Sequence, residues 1–585
     1  MNWNLDDICP KEKFGELLAE VEKEAEELDS WWKKLNPGMK EEEFKKYIEF
    51  DQNFGQKMAR AGYLPGLLEA INQKDSEARL MKGKIQDLGL AVAKKERKFD
   101  RWLKGLPVDG KEKLSDDQAK RLFKAVPDLE YGLNYGRLAA KHTLLEREEE
   151  IIDNKDIFGQ GTISDLRGLI ETEMVYQLGK RKIKTQAELL KHVHSKNPKL
   201  RKEAYKALLN KQKEHSDKLF IIYQSVIKDW KFEAKIRGYK GPISMRNFGN
   251  HVSDKSVETL LKVCEEKRGI FWKYFNFKAK SLGKKKLNRF DLYAPMKETK
   301  KQEYGFEESK KMVLEAFGQF DKKFAELAEK LFSEQHIDSL PKPNKTSGAF
   351  CATVGPTITP YVMLNHTNTL RDVSTLAHEL GHAIHSLMAN KHYPGSQHAN
   401  LPLSETSSTL SEMILFEKML GEEEDKQIKK QMLWEKMADS YATILRQNYF
   451  VKFEIEAHEL VGKGATCKDL SRLYLKNLRE QFGQSVLVEP IFQNEWMYIS
   501  HIFESPFYCY AYNFGELLSL SLFARYKKEG KPFIEKIKTL LAAGGSEDPT
   551  KVLAKIGIDP ESEEFWRGGF KIIEGWQEEL ERTEK

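Results

Sequence analysis

The chain has 585 residues, of which 40% are hydrophobic and 32% are charged, and its 96 basic and 90 acidic side chains leave a formal net charge of +6. This length exceeds what one ordinary hydrophobic core organises, so we expect two or more packed lobes. The balanced composition excludes wholesale disorder, and the nearly neutral charge argues against a nucleic-acid partner.

The N-terminal segment and the cysteines bear on where the protein works. The opening residues, MNWNLDDICPKEKF, contain no basic stretch followed by an apolar run, so we expect no secretory signal. No window of the sequence approaches the roughly 18 apolar residues of a membrane span, and we therefore expect no membrane partner. The scattered cysteines lack CxxC spacing, which predicts free thiols and a cytoplasmic location; they are Cys9, Cys264, Cys351, Cys467 and Cys509.

Most of the chain has helical periodicity. Apolar residues recur at near-helical spacing over residues 11–35, and further periodic stretches lie near 56–103, 114–150, 162–180 and 184–233. Residues 287–296 instead predict a strand and a turn. Residues 347–365, SGAFCATVGPTITPYVMLN, are rich in β-branched and aromatic side chains and predict one or two short strands. Helical periodicity returns beyond residue 366, so the sequence predicts a mostly α protein with a small sheet.

The helix that begins near residue 372 contains the motif HELGH at 378–382, and Asp372 is its expected N-cap. Because helical residues turn by about 100° each, His378 and His382 project within about 40° of each other and can bind one metal ion. Glu379 points about 100° to the side, where it can take a proton from a metal-activated water. The apolar neighbours predict a buried helix, in which unpaired polar side chains are costly. The motif therefore predicts a hydrolytic zinc site.

A hydrolytic zinc site normally has three protein ligands, so a third must come from another segment. A histidine six residues after His382 is one solution, but Met388 occupies that position. The other common solution is a carboxylate on the following helix, where Glu405 and Glu412 lie seven residues apart on the same face. Either could reach the metal, and the other would then support the site from behind. The spacing leaves both assignments open.

Several separated segments together resemble the oligoendopeptidase F branch of the thimet-type (M3) zinc metallopeptidases. They are GAF at 348–350, PYVMLN at 360–365, DVSTLAHELGHAIH at 372–385, LSETSSTLSE at 403–412 and HIFESPFYCYAY at 501–512. The resemblance covers roughly residues 190–580, whereas the first 190 residues match only in helical character. It implies an N-terminal helical lobe over 1–190 and a catalytic domain over 191–585.

The resemblance also implies the roles of individual residues. It makes Glu405 the third ligand of one zinc ion per chain, beside His378 and His382, with Glu412 in support. It implies that Glu379 is the general base, and that Tyr508, Tyr512 and His501 stabilise the negative charge that develops on the peptide carbonyl oxygen. We rank Tyr508 first, Tyr512 second and His501 third. A ranking is needed because Ser505-Pro506-Phe507 stands where thimet-type members proper have a glycine-rich run, which blurs the alignment of the tyrosines.

The fold and substrates implied by the resemblance are those of a two-lobed, helical, zincin-type metallopeptidase with a deep channel and a small sheet beside the zinc. A strand near 359–365 is expected to pair with the extended substrate backbone. The expected substrates are short, unstructured oligopeptides inside the cell. Two other functions stay open, a peptide-binding protein without activity and a zinc hydrolase of non-peptide amides. The presence of all the catalytic residue types disfavours the first, and the family-like strand and tyrosines disfavour the second.

Overall fold

The computed structural model describes residues 2–296 and 302–584. The predicted helical character is confirmed, beginning with the helices of the first half of the chain. These are α1 (Phe14–Lys34), α2 (Glu41–Ile71), α3 (Ser76–Leu103), α4 (Asp116–Lys124), α5 (Glu130–Ala139), α6 (Glu146–Phe158), α7 (Gln160–Glu173), α8 (Gln186–Lys191), α9 (Pro198–Glu214), α10 (Ser216–Ile236), α11 (Pro242–Gly249), α12 (Asp254–Glu266) and α13 (Gly269–Ser281).

The second half of the chain is equally helical. Its helices are α14 (Phe306–Phe320), α15 (Lys322–Ser333), α16 (Leu370–Met388), α17 (Pro394–Gln397), α18 (Leu401–Ser404), α19 (Thr406–Glu422), α20 (Lys426–Ser440), α21 (Arg446–Gly462), α22 (Cys467–Phe482), α23 (Ser500–Glu504), α24 (Tyr510–Glu529), α25 (Lys531–Ala542), α26 (Pro549–Lys555) and α27 (Glu563–Arg582). None of the helices in the described residues is long and apolar enough to cross a membrane.

Seven short strands form three small sheets within the described residues. The strands are β1 (Tyr176–Leu178), β2 (Arg181–Ile183), β3 (Leu287–Asn288), β4 (Ile337–Asp338), β5 (Phe350–Ala352), β6 (Tyr361–Met363) and β7 (Val486–Leu487). The three-stranded sheet has the order β4-β6-β5, with β6 parallel to β4 and antiparallel to β5. Both strands predicted within residues 347–365 are therefore present, and β3 confirms the strand predicted at 287–296.

The chain divides into two compact units, each built from three separated segments. The first unit comprises the residues up to His142 together with Gln302–Gly421 and Arg525–Ile558. The second comprises the residues from Thr143 to Met296, Glu422–Ala524 and the residues from Asp559 onward. These units combine segments that are far apart in the sequence, whereas the two expected domains, 1–190 and 191–585, are continuous in the sequence. The expected boundary between residues 190 and 191 stays a prediction.

The N-terminal helices share a hydrophobic core with the three-stranded sheet in the first unit. Buried side chains of α1 to α4 belong to the same cluster as Ala352 of β5 and Tyr361 and Met363 of β6. Trp3 lies edge-on to Tyr361, with ring centroids 6.0 Å apart. The sheet that flanks the HELGH helix is thus supported by the N-terminal residues, which the family resemblance does not cover.

The structure corrects the extent of one predicted helix and the predicted role of one strand. The helix expected over 162–180 ends at Glu173 and is followed by the β1–β2 hairpin, because Gly179 has a φ of +58° that suits a tight turn. The expected pairing of substrate with the strand near 359–365 also fails, because β6 lies at the centre of its sheet and its two edges are occupied by β4 and β5. The edge strands of this sheet are β4 and β5.

Candidate active site

The HELGH helix, α16, begins at a capping box. Thr369 is its N-cap, and the Thr369 hydroxyl and the Asp372 carboxylate each accept a hydrogen bond from the backbone N–H of the other residue. The expectation that Asp372 is the N-cap is therefore wrong by three residues; it occupies the reciprocal position of the box. The helix buries an apolar face that includes Leu376, Leu380 and Ile384. This packing fixes the direction in which the two histidines point.

The α16 and α19 helices approach closely at a glycine inside the motif. A Cβ atom on Gly381 would lie 2.6 Å from the carbonyl oxygen of Ser407 and 2.6 Å from the Cα atom of Ser408. No side chain fits there, so the close approach of the helices requires glycine. It also brings the start of α19 beside the histidines of α16.

Three side-chain atoms converge on one point, two from α16 and one from Glu405, the residue directly before α19. The Oε2 atom of Glu405 lies 3.5 Å from Nε2 of His378 and 3.5 Å from Nε2 of His382. All three potential ligand atoms lie within 4.8 Å of one another. Ligand atoms about 2.1 Å from a tetrahedral ion stand roughly 3.4 Å apart, so this donor set fits a zinc ion. The hydroxyl of Ser408 donates to Oε2 of Glu405 at 2.9 Å and orients that carboxylate.

Glu412 lies on α19, about two helical turns beyond Glu405. Its Oε1 atom lies 2.6 Å from Nδ1 of His378, and its Oε2 atom accepts a hydrogen bond from the hydroxyl of Ser374 at 3.1 Å. A proton on Nδ1 leaves Nε2 of His378 as the nitrogen that faces Glu405 and His382. Burial acts to lower the pKa of His378, but the hydrogen bond with Glu412 and the nearby carboxylate charges outweigh it and raise that pKa to about 9. Binding a metal at Nε2 requires displacement of a proton.

Glu379 is the most buried acidic group beside the histidines, with 6% of its surface exposed. Burial raises its pKa to about 7, against the opposing effect of His378 and with the help of the Glu405 charge. A carboxyl group with a pKa near neutrality can both accept and release a proton at physiological pH. Burial lowers the pKa of His382, and it lowers that of His385, one helical turn further on, to about 4.

A cavity of about 410 Å³ opens at these residues within the first unit. Its wall contains His378, Glu379, His382 and Glu405, and β5 contributes Phe350 and Cys351. Further polar residues complete the lining of the cavity, and they are His385, Ser386, Gln397, His398 and Ser404. The edge strand β5 thus borders the cavity, which the central strand β6 does not line.

Tyr63 of α2 also lines this cavity, and no sequence pattern points to it. It lies inside a long helix that also contains Pro65, more than 300 residues before the HELGH motif. A long-range contact of this kind leaves no spacing pattern in the sequence. The contact shows that the N-terminal helices contribute to the site as well as to the core.

His501, Tyr508 and Tyr512 come together in the second unit. His501 Nε2 lies 3.1 Å from the Tyr512 hydroxyl, and the rings of Tyr508 and Tyr512 pack edge-to-face with centroids 5.3 Å apart. All three side chains are half-buried. Tyr510 differs from them, because it is fully buried and its hydroxyl accepts a hydrogen bond from Asn250 at 2.7 Å. The structure therefore separates Tyr510, a core residue, from the two tyrosines singled out in the sequence.

The fold is mostly helical, and one cavity is lined by an HExxH helix and by a glutamate directly before the next long helix. These features define a class of hydrolases. The model of peptidase family M3 matches residues 191–572 of this chain. The chain therefore belongs to peptidase family M3, and it is a peptidase. The predicted resemblance is confirmed.

Curated relatives and solved structures agree with this assignment. An oligoendopeptidase F homolog from Borreliella burgdorferi is 29% identical over 426 residues, which are 72% of each chain. The oligopeptidase PepF of Bacillus subtilis is 25% identical over 449 residues, 75% of this chain and 67% of the relative. Among crystal structures, a chain from Chlamydophila abortus assigned as a peptidase has a TM-score of 0.87 at 21% identity, covering 100% of this chain and 98% of the other. Oligoendopeptidase-F from Enterococcus faecium has a TM-score of 0.69 at 21% identity, covering 98% of each. At these identities the structures show the fold alone.

Proposed function

We propose that the chain is a zinc-dependent endopeptidase that hydrolyses short, unstructured oligopeptides. The observation that carries this proposal is the convergence of His378, His382 and Glu405 within 4.8 Å of one another. Two imidazoles and one carboxylate are a donor set of hydrolytic zinc sites, which keep a further position open. One zinc ion per chain, when bound, supplies Lewis-acid chemistry at the scissile carbonyl.

Glu379 is the proposed general base. It follows the first histidine directly, it is buried, and it lines the same cavity as the ligand residues. From this position its carboxylate removes a proton from the attacking water and later delivers it to the leaving amine. Glu412 holds the His378 ring through Nδ1 and does no proton transfer itself.

Tyr508, Tyr512 and His501 are the proposed donors to the oxygen that becomes negative in the transition state. Their mutual packing supports this role, because it holds the rings in one cluster with partly exposed edges. We rank Tyr508 first, Tyr512 second and His501 third.

The substrate backbone is proposed to add to the edge of β5 instead of β6. Phe350 and Cys351 of β5 border the cavity, and β5 is paired on one side by β6 within the described residues. An extended peptide can pair with such an edge through main-chain hydrogen bonds. This mode selects unstructured chains, consistent with the oligopeptidase names of the relatives.

The five free cysteines support a cytoplasmic location.

The test compares the wild type with Glu379→Gln on quenched fluorescent peptides, with metal content measured in both. Gln keeps the size of the side chain but cannot transfer the proton, so we expect about one zinc per chain and loss of nearly all turnover. Glu307→Gln, an exposed position on α14 of the same unit, serves as the matched control and should keep full activity. Substantial turnover by metal-loaded Glu379→Gln would contradict the mechanism. If the wild type binds peptides without hydrolysing them, the result favours a peptide-binding protein without activity. If it hydrolyses only small amides, the result favours a zinc hydrolase of non-peptide amides.

A further inference from the structure

The turn that precedes Tyr508 has an unusual backbone. Phe507, which lies between α23 and α24, has a φ of +60° although it carries a bulky side chain. Few non-glycine residues adopt this left-handed conformation, and those that do are held there by their surroundings. The Phe507 ring is buried, with 1% of its surface exposed. The surroundings of this turn therefore set its conformation.

Two side chains hold the turn by its backbone. The N–H of Phe507 donates to Oε1 of Glu454 at 2.8 Å. Arg246 donates from Nε to the carbonyl oxygen of Pro506 at 2.9 Å, and from Nη2 to the hydroxyl of Ser505 at 3.2 Å. These contacts join α21 and α11 to three consecutive residues of the turn, all within the second unit.

Glu454 is an unusual residue for this purpose, because a buried carboxyl group is costly to maintain. None of its surface is exposed, and its Oε2 atom has no hydrogen-bond partner among the described residues. Burial raises its pKa to about 8, against the opposing effects of the Phe507 N–H and Arg246. At pH 7 the side chain is therefore mostly neutral, and glutamine reproduces its shape, its neutrality and its acceptor oxygen.

The same turn fixes the position of Tyr508. The Tyr508 N–H donates to the carbonyl oxygen of Ser505 at 3.1 Å, so the tyrosine backbone is anchored on the residue that Arg246 contacts. One turn of α21 beyond Glu454, His458 packs on the Phe507 ring with centroids 4.6 Å apart. A donor that must meet a developing charge tolerates little displacement, and an error of about 1 Å can cost on the order of 100-fold in rate.

We propose that Glu454 and Arg246 are positioning residues, which hold the Ser505–Phe507 turn so that the Tyr508 hydroxyl is presented to the substrate. This inference rests on the proposed role of Tyr508 in catalysis. Neither residue belongs to the groups that contact substrate; both act through the backbone of the turn.

The experiment is a double-mutant cycle on purified, metal-loaded full-length protein, with kcat and KM measured on one fluorescent peptide. Glu454→Met removes the acceptor at similar volume, and we expect kcat to fall at least about 10-fold with KM changed less than about 2-fold. Glu454→Gln should restore kcat to within about 3-fold of the wild type. In a Tyr508→Phe background, Glu454→Met should have little further effect, because the hydroxyl that it positions is already absent. Glu459→Met, at an exposed position of the same helix, is the matched control.

Arg246→Lys provides a second route if Glu454→Met does not fold. Lysine keeps the charge but loses the paired bonds to Ser505 and Pro506, so kcat should fall and the fall should again vanish in the Tyr508→Phe background. Suppose that Tyr508→Phe lowers kcat, and that Glu454→Met or Arg246→Lys lowers kcat by the same factor in that background as in the wild type. The positioning role is then wrong, while the proposed function stands. If Tyr508→Phe leaves kcat unchanged, the proposed role of Tyr508 fails, and the inference fails with it.

Discussion

At the scale of single residues, Glu405 and Glu412 are distinguished by which nitrogen of His378 each one meets. Glu405 faces Nε2 of both motif histidines at 3.5 Å, whereas Glu412 contacts Nδ1 of His378 at 2.6 Å. The seven-residue spacing predicts one helical face for both and cannot separate them, whereas Glu405 in fact lies directly before α19. The separation depends on where α19 begins relative to α16, which the sequence does not reveal.

We predict that Glu405→Ala loses most of the bound zinc. Removing one of three ligands leaves two imidazoles, whereas removing Glu412 leaves the ligand set intact but the His378 ring less firmly oriented. Glu412→Ala should therefore keep the metal with affinity weakened by about 10- to 100-fold. Metal analysis after dialysis against a graded zinc buffer measures both. Loss of zinc from Glu412→Ala with retention in Glu405→Ala would reverse the assignment.

We predict that Tyr508→Phe lowers kcat by roughly 100- to 1,000-fold with little change in KM, because the donor acts on charge that exists in the transition state. Zinc content should not change. Tyr510→Phe is a matched comparison two residues along, since the Tyr510 hydroxyl accepts a buried hydrogen bond from Asn250. That variant should lower the melting temperature and leave kcat near the wild-type value. If the two variants exchange these effects, the ranking of the tyrosines is wrong.

At the scale of secondary-structure elements, the packing of α16 on α19 determines whether the ligand atoms meet. We predict that Gly381→Ala greatly weakens zinc binding, because the added methyl group would collide with the backbone of Ser407 and Ser408 and force the helices apart. Gly421→Ala lies on α19 with no atom near its added methyl group, and it should bind zinc normally. Zinc titrations of both variants provide the comparison. Normal affinity in Gly381→Ala would show that these helices can separate without cost to the site.

The elements also show what sequence patterns can and cannot predict. Most of the helices, the two strands in 347–365 and the HELGH helix follow from local preferences, and the structure contains them. The order β4-β6-β5 depends on which distant segments pair, and local alternation holds no information about it. The N-cap of α16 was misplaced because Thr369 and Asp372 exchange hydrogen bonds in one capping box, so both have the composition of a cap.

At the scale of the whole molecule, the chain passes between its two units more than once. The first unit takes its residues from the N-terminal, middle and late parts of the sequence. This is why Tyr63, near the N-terminus, lines a cavity whose other lining residues lie between Ala349 and Glu405. Sequence reasoning assigned the first residues a helical character and no role in the site, because contacts between remote segments are not encoded in spacing.

The proposed metal links two helices of the first unit, and we predict that its removal loosens that unit selectively. A ligand present at about 1,000 times its dissociation constant stabilises the folded state by about 4 kcal/mol, and a chelator withdraws that contribution. Hydrogen exchange should accelerate in α16 and α19, where His378, His382 and Glu405 would lose their shared ion, while α21 and α22 of the second unit change little. Glu405→Ala is the control, since its exchange should already be fast and should not respond to chelator. Equal acceleration in both units would mean that the ion stabilises the molecule as a whole, and no acceleration in α16 would mean that it does not bind there.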